Sequence, residues 1–429
     1  MITQKLKQIW SSRDIRNDIL FVLFVFVVFR FLAHVPVPGV DISGLQSQLN
    51  SNQILGLLNL LTGGGLENFS VVMLGVGPYI TSSIIFQLLG MIVPKFEEMQ
   101  KEGEQGRQKI NQWTRLATIP FAILQSYGTI IFLQRSSGGV SGEALLGSFT
   151  AWQMVTVMFT VTAGTVFLMW LGELISERRV GNGISLMIFA GIVSGLPTAL
   201  LRMASTYDQS QLINVILFAI IAVVTVAGVV FITEGQRNIP VTYSKFARGN
   251  SLSGGVQSHL PMRVNQAGVI PIIFAISIVL FPPMIAQFFV RSTVTWIAQF
   301  ADFIIQLFNN QLFYGVFYFL LVFAFTYFYT AVIFKPDQIS ENLQKQGGFI
   351  PGIRPGSETA NYLSLVSNRI LLAGALFLGT IAILPLLLQN FTGTNLVIGG
   401  TSLLIIVSVV IETVKQINSQ LVMRDYEKF

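Results

Sequence analysis

The chain has 429 residues; 11% are charged, against about 25% in soluble domains, and 52% are hydrophobic, 35 of them Phe. This composition excludes an ordinary soluble enzyme and a disordered chain. The absence of cysteine excludes structural disulfides, thiolate metal sites and cysteine nucleophiles. A net charge of +6 admits nucleic acid as a partner until the placement of the basic residues is known.

A membrane-crossing helix needs roughly 20 mostly apolar residues. Ten stretches reach or approach that length: 19–33, 69–93, 116–133, 152–171, 184–201, 212–232, 267–290, 312–334, 370–388 and 396–411. The first is read as a retained span, because Val35-Pro36-Val37-Pro38 follows it rather than a small-residue cleavage site. Ten spans put both termini on one side. The segments on that side carry twenty Lys and Arg, whereas the opposite side carries Arg135, Arg202 and Arg291. The positive-inside rule makes the first side cytoplasmic. The basic charge is therefore mostly topology, and nucleic-acid binding as such is disfavoured.

No Asp, Glu, Lys or His lies near the middle of any span. Arg30 lies near the outer end of the first, where its side chain can snorkel to the interface; Glu173 and Glu412 lie at cytoplasmic ends. Ion- and proton-coupled transporters usually carry such groups as relays. His34 and His259 fall on opposite sides, and the chain has no zinc-binding H-E-x-x-H and no phosphate-binding G-x-x-x-x-G-K-[ST]. No catalytic residue, metal site or cofactor is expected, and any driving energy must come from a partner or a gradient.

Three segments do not behave as spans. Gln53–Leu61 is apolar but too short to cross, and Thr62-Gly63-Gly64-Gly65 follows it. It is either a re-entrant plug-like element or an interfacial helix. In 293–311, Trp296, Phe300, Phe303 and Leu307 share one helix face, which predicts an amphipathic helix at the outer interface. The cytoplasmic loops 234–263 and 335–362 are long, rich in Gly and Pro and basic, which suits docking; the alternative is a flexible tether.

Several motifs occur in order along almost the whole chain. They are Gly77-Pro78-Tyr79-Ile80-Thr81-Ser82-Ser83-Ile84-Ile85-Phe86-Gln87, Lys101-Glu102-Gly103-Glu104-Gln105-Gly106-Arg107 and Gly181-Asn182-Gly183-Ile184-Ser185. They continue with Val264-Asn265-Gln266-Ala267-Gly268-Val269-Ile270-Pro271, Pro351-Gly352-Ile353-Arg354-Pro355-Gly356 and Gly399-Gly400-Thr401-Ser402-Leu403-Leu404-Ile405. Together they resemble the SecY family of protein-conducting channels.

The resemblance implies an all-α polytopic membrane protein of ten helices in two pseudo-symmetric inverted halves, 1–207 and 208–429, around an hourglass pore. It implies a pore ring of Ile80, Ile84, Ile188, Ile192, Ile273 and Ile405, two pairs of which have the i, i+4 spacing of one helix face. The plug would be about 53–69, including Leu57, Leu58, Leu61, Gly63, Gly64 and Gly65. Thr81, Ser82, Gln87, Asn182 and Phe281 would line a lateral gate between spans two and three and spans seven and eight. Arg354 would engage a cytoplasmic partner, with Arg237 and Arg248 on the other loop. That loop departs from the family in being less basic, so Arg354 is the principal docking candidate. Implied partners are the SecA motor ATPase, the translating ribosome, the small subunits SecE and SecG, clients bearing signal sequences, and membrane lipid. The implied location is the bacterial plasma membrane. The competing reading is a secondary transporter of a small neutral solute, which predicts polar groups at mid-membrane.

Overall fold

The computed structural model describes residues 2–38, 59, 62–135, 150–205, 212–243, 247–248, 251–252, 257–290, 294–392 and 400–427. The chain opens with α1 (Ile2–Ser11) and α2 (Arg13–Leu32). Then come α3 (Gly77–Ile92), α4 (Pro94–Lys101), α5 (Glu104–Arg135), α6 (Ala151–Glu177), α7 (Gly183–Ser205) and α8 (Leu212–Glu234). Strands β1 (Gln236–Tyr243), β2 (Ala247–Arg248), β3 (Ser251–Leu252) and β4 (Gln257–Arg263) precede α9 (Ile270–Phe289), α10 (Thr295–Asn309) and α11 (Gln311–Ile333). The chain continues through α12 (Pro336–Lys345), β5 (Gly348–Phe349), α13 (Ser357–Thr392) and α14 (Gly400–Glu427). The expected boundary between halves, at 207/208, lies outside the described residues.

Each of the ten apolar stretches is occupied for most of its length by a helix: α2, α3, α5 through α9, α11, α13 and α14. Four stretches, Ala151–Glu177, Gln311–Lys345, Ser357–Leu384 and Thr401–Met423, are long and apolar enough to cross a bilayer unaided. The pair α3 and α4, bent by 102° at Val93, makes a fifth if counted as one span. The apolar parts of α7, α8 and α9 are shorter. One cluster runs through α2, α3, α6, α7, α9, α11, α13 and α14, and fully buried Leu168, Ile272, Val322 and Leu404 mark its centre. Large apolar side chains such as Phe24, Phe159, Val223 and Leu320 are exposed on the outside, as suits a surface facing lipid. The protein is an all-α polytopic membrane protein.

The second span departs from the sequence reading. The apolar run begins at Phe69, but helix begins only at Gly77, and α3 is 16 residues long. At about 1.5 Å per residue it covers some 24 Å, short of the hydrocarbon thickness of about 30 Å. Residues 62–76 fold instead into successive turns. Gly75 takes φ +57° against Thr62, where an added Cβ would come within 3.3 Å of its Cα, and Pro78 sits in the first helical turn. The segment meets the backbone requirement at membrane depth by bonding to the chain after α2: Val37 N–H donates to Phe69 O and Val71 N–H to Val35 O. Phe69, Leu66 and Met73 are buried against Ile130 and Leu133 of α5 and Val157 and Val161 of α6.

The two long loops join in one structure. β1 pairs antiparallel with β4 from Gln236↔Arg263 to Thr242↔Gln257, and β5 adds through Thr242↔Phe349 and Tyr243↔Gly348. One face carries Ile239, Val241 and Met262 onto Leu343 of α12, Ile350, and Leu363 and Val366 of α13. In place of the tether alternative, β1, β4 and β5 form a packed sheet, and α12 packs against it. Leu363 is fully buried in this small cluster. We expect Leu363→Ala to remove about 2–5 kcal/mol locally and to speed tryptic cleavage at Arg237 and Lys345 in membrane vesicles. Unchanged cleavage would mean that this cluster does not hold the sheet together.

Candidate functional site

Four helices converge on one apolar layer. α3 contributes Ile80 and Ile84, α7 contributes Ile188 and Ile192, α9 contributes Ile273 and α14 contributes Ile405. None is more than 7% exposed, and all six belong to one packed cluster. Close helix approach makes the convergence possible. Gly183, at the start of α7, lies against the Gly172 carbonyl of α6, in space that a Cβ would fill.

Cavities lie on both sides of the layer. Toward the sheet end is one of about 720 Å³, lined by polar and charged groups including Arg179, Asn182, Arg263, Asn265, Glu412 and Lys415. Val269 before α9, Ile270 of α9, and Ser408 and Ile411 of α14 line it, and Ile273 and Ile405 follow about one turn deeper on the same helices. On the far side is a cavity of about 80 Å³, bounded by Ile80, Ile188 and Ile273 together with Thr62, Leu74 and Phe281. Aliphatic side chains packed in this way offer no hydrogen bond and resist wetting.

The glycine turn lies at the small cavity. Leu57, Leu58 and Leu61 lie outside the described residues. Gly63 and Gly64 take φ of +68° and +80°, a region that glycine enters without penalty. A Cβ on Gly63 would sit 2.9 Å from the Cα of Gly191 on α7 and 2.9 Å from Phe29 Cζ, so the turn lies directly on these helices. Arg30 does not snorkel outward as the sequence suggests. Its Nη1 donates to Gly63 O at 2.7 Å and to Ser194 Oγ of α7 at 3.1 Å. Only the position of the charge at the span end hinted at this.

The expected gate residues divide. α9 lies against both α3 and α5. Phe281 and Thr81 share the small cavity with Gln125 of α5, whose Nε2 donates to Thr81 Oγ1 at 3.2 Å. Ser82 is fully buried and donates to Thr114 O at 2.8 Å, so it ties α3 to α5 rather than facing α9. Gln87 donates to Ser83 Oγ one turn back in its own helix. Asn182 accepts from Ser185 N–H at the start of α7 and lines the large cavity, on the other side of the apolar layer from Phe281.

Arg354 is exposed on a braced turn. Thr359 Oγ1 donates to its carbonyl at 2.9 Å, Ser340 Oγ donates to Gly356 O at 2.5 Å, and Gly352 and Gly356 take φ of +84° and +103°. Buried Ile350 anchors the turn in the sheet cluster. Arg237 is exposed at the start of β1; Arg248 lies on β2, with its side chain outside the described residues. Among the described residues no group of three or more His, Asp or Glu is placed to hold a metal.

Comparison with known proteins agrees with this architecture. The SecY family model matches residues 70–414. The protein translocase subunit SecY of Bacillus licheniformis is 42% identical over 428 residues, covering 97% of both chains. That of Streptomyces griseus is 42% identical over 432 residues, covering 98% of both. Among solved structures, a protein-conducting channel aligns with a TM-score of 0.61 at 17% identity, covering 93% of this chain and 91% of its own. A Sec61 channel from a canine ribosome complex aligns with a TM-score of 0.58 at 17% identity, with the same coverage. The structural likeness establishes the shared fold, the sequence likeness extends along nearly the whole chain, and the chain therefore belongs to the SecY family of protein-conducting channels.

Proposed function

We propose that the six isoleucines are the constriction through which an unfolded polypeptide passes. In this reading the turn at 62–65 seals it on one side, and the seam between α3/α5 and α9/α11 is the sideways exit to lipid. The observation that carries the proposal is the burial of Ile80, Ile84, Ile188, Ile192, Ile273 and Ile405 in one cluster with a cavity on each side. Thr81 and Phe281 belong to the exit, Ser82 to the frame beside it, and Asn182 to the entrance. The inverted halves are 1–207 and 208–429, with α9 of the second facing α3 and α5 of the first across the seam.

The polar cavity opens toward the sheet, so the sheet side is the entrance. It is also the side rich in Lys and Arg, which assigns it and both termini to the cytoplasm of a bacterium whose plasma membrane holds the protein. The exposed, braced guanidinium of Arg354 suits a carboxylate or phosphate on a partner. A motor ATPase of the SecA kind and a translating ribosome are the partners, with SecE and SecG as accessory subunits. The ribosome reading draws support from the Sec61 channel, which was solved in a ribosome complex. A neutral-solute transporter is not favoured, since the apolar layer offers no polar group to hold a solute.

The direct test is protease protection of a secretory precursor in proteoliposomes containing the chain, SecE, SecG, SecA and ATP. Protection that needs both ATP and the signal sequence is expected; uptake of neutral metabolites without protection would favour the transporter. The double change Ile188→Gly and Ile192→Gly should raise resting ion conductance in planar bilayers, at a packing cost of about 2–5 kcal/mol per site. A tight channel would remove these residues from the ring. Arg354→Glu should slow motor-driven transport by tenfold or more, given that placing like charges together across an interface costs several kcal/mol, while membrane insertion of the chain stays normal. Full transport by this variant would end the docking role.

A further inference from the structure

Arg30 joins three elements that are far apart in sequence. It lies two residues before the end of α2, half-buried, and its Nη1 bonds both the Gly63 carbonyl of the turn and the Ser194 hydroxyl of α7. The turn's internal hydrogen bonds engage the carbonyls of Thr62, Gly64 and Gly65, whereas that of Gly63 receives Arg30. Ser194 is itself positioned by donating to Gly191 O at 2.7 Å, and Gly191 is the residue on which Gly63 rests. Gly191 lies between Ile188 and Ile192 in the same helix. A second tie runs parallel: Asn68 Nδ2 donates to Ala33 O at 3.2 Å and to Gly64 O at 3.3 Å.

We propose that Arg30 is the latch of the turn, a positioning residue that sets how readily residues 62–65 leave their seat on α7. This rests on the reading of the apolar layer as a pore. The chemistry suits the task. Lifting the turn separates a guanidinium from a backbone carbonyl, and charge-assisted bonds of this kind are about twice as strong as neutral ones. A guanidinium presents several donors in a fixed plane, so one side chain holds the turn and α7 together. The bond is directional but not covalent, so a client that spreads the helices can break it and the turn can reseat afterwards. Leucine at this position would fill the space and make neither bond.

The chain has no cysteine, so Thr62→Cys supplies a single reporter thiol, 3% exposed in the seated turn. Labelling by a membrane-impermeant maleimide in proteoliposomes reads displacement of the turn without any transport assay. In the Arg30→Leu background labelling should accelerate about 10- to 100-fold, the loss expected for bonds to a charged donor, and resting ion leak should rise with it. Ser194→Ala leaves the charge and α2 intact, and a rise of about two- to tenfold is expected, which separates loss of the tie from loss of fold. Parental labelling rates in both variants would overturn the latch if the Ile188→Gly, Ile192→Gly channel leaks. If that double variant is also tight, the pore reading fails and the latch fails with it.

Discussion

Contact among aliphatic side chains at one level of the bundle governs how the rest is built. An isoleucine cluster excludes water only while its members touch, and they touch only if the helices carrying them approach closely. The fold meets that demand with small residues at the crossings. Gly183 lies against the Gly172 carbonyl, and Gly164 of α6 lies against the Val71 carbonyl of the irregular segment. Several polar side chains on the same helices direct their hydrogen bonds to helix backbone. Ser82 bonds to α5, Ser194 to its own helix and Thr81 to the Gly77 carbonyl.

A short α3 follows from this arrangement. A full-length straight helix at this place would fill the space where the turn now rests. The chain instead crosses part of the membrane as bonded turns, tolerated because protein surrounds them on every described side: α2 and the residues after it, α5, α6 and α7. Such a segment has fewer internal hydrogen bonds than a helix and relies on its neighbours for the remainder. Displacing it, as the proposed sealing role of the turn requires, would leave the backbone bonds of the helices around it intact.

The positions of the ten helices were legible in the sequence because hydrophobic runs report burial in lipid directly. What the runs do not report is which faces meet. The i, i+4 spacing of Ile80 with Ile84 and of Ile188 with Ile192 marks a face on each helix, but only the family motifs suggested that these faces meet. The sheet escaped notice because Pro240 and polar neighbours obscure the alternation in β1 and because β5 comes from a different loop, about a hundred residues on. Hydropathy misread 69–76 as helix, since Val, Met and Leu are equally apolar in a turn packed against protein. It misread Arg30 for a related reason: proximity to the interface suggests an outward charge, whereas the inward partners, a backbone carbonyl and a serine, are invisible to charge counting.

α9 ties the parts together mechanically. Its first turn borders the polar cavity, Ile273 belongs to the apolar layer, and Phe281 borders the small cavity beside the seam with α3 and α5. Pro282 and Pro283 follow Phe281 and remove backbone donors there, which weakens the helix where bending is least costly. A wedge entering the seam at Phe281 therefore acts on a helix stiff through Ile273 and weak beyond it. Parting α9 from α3 withdraws Ile273 from Ile80 and Ile84 in the same motion. On the proposed reading of ring and seam, sideways opening and loosening of the constriction are then one event, because Ile273 and Phe281 lie on a single helix.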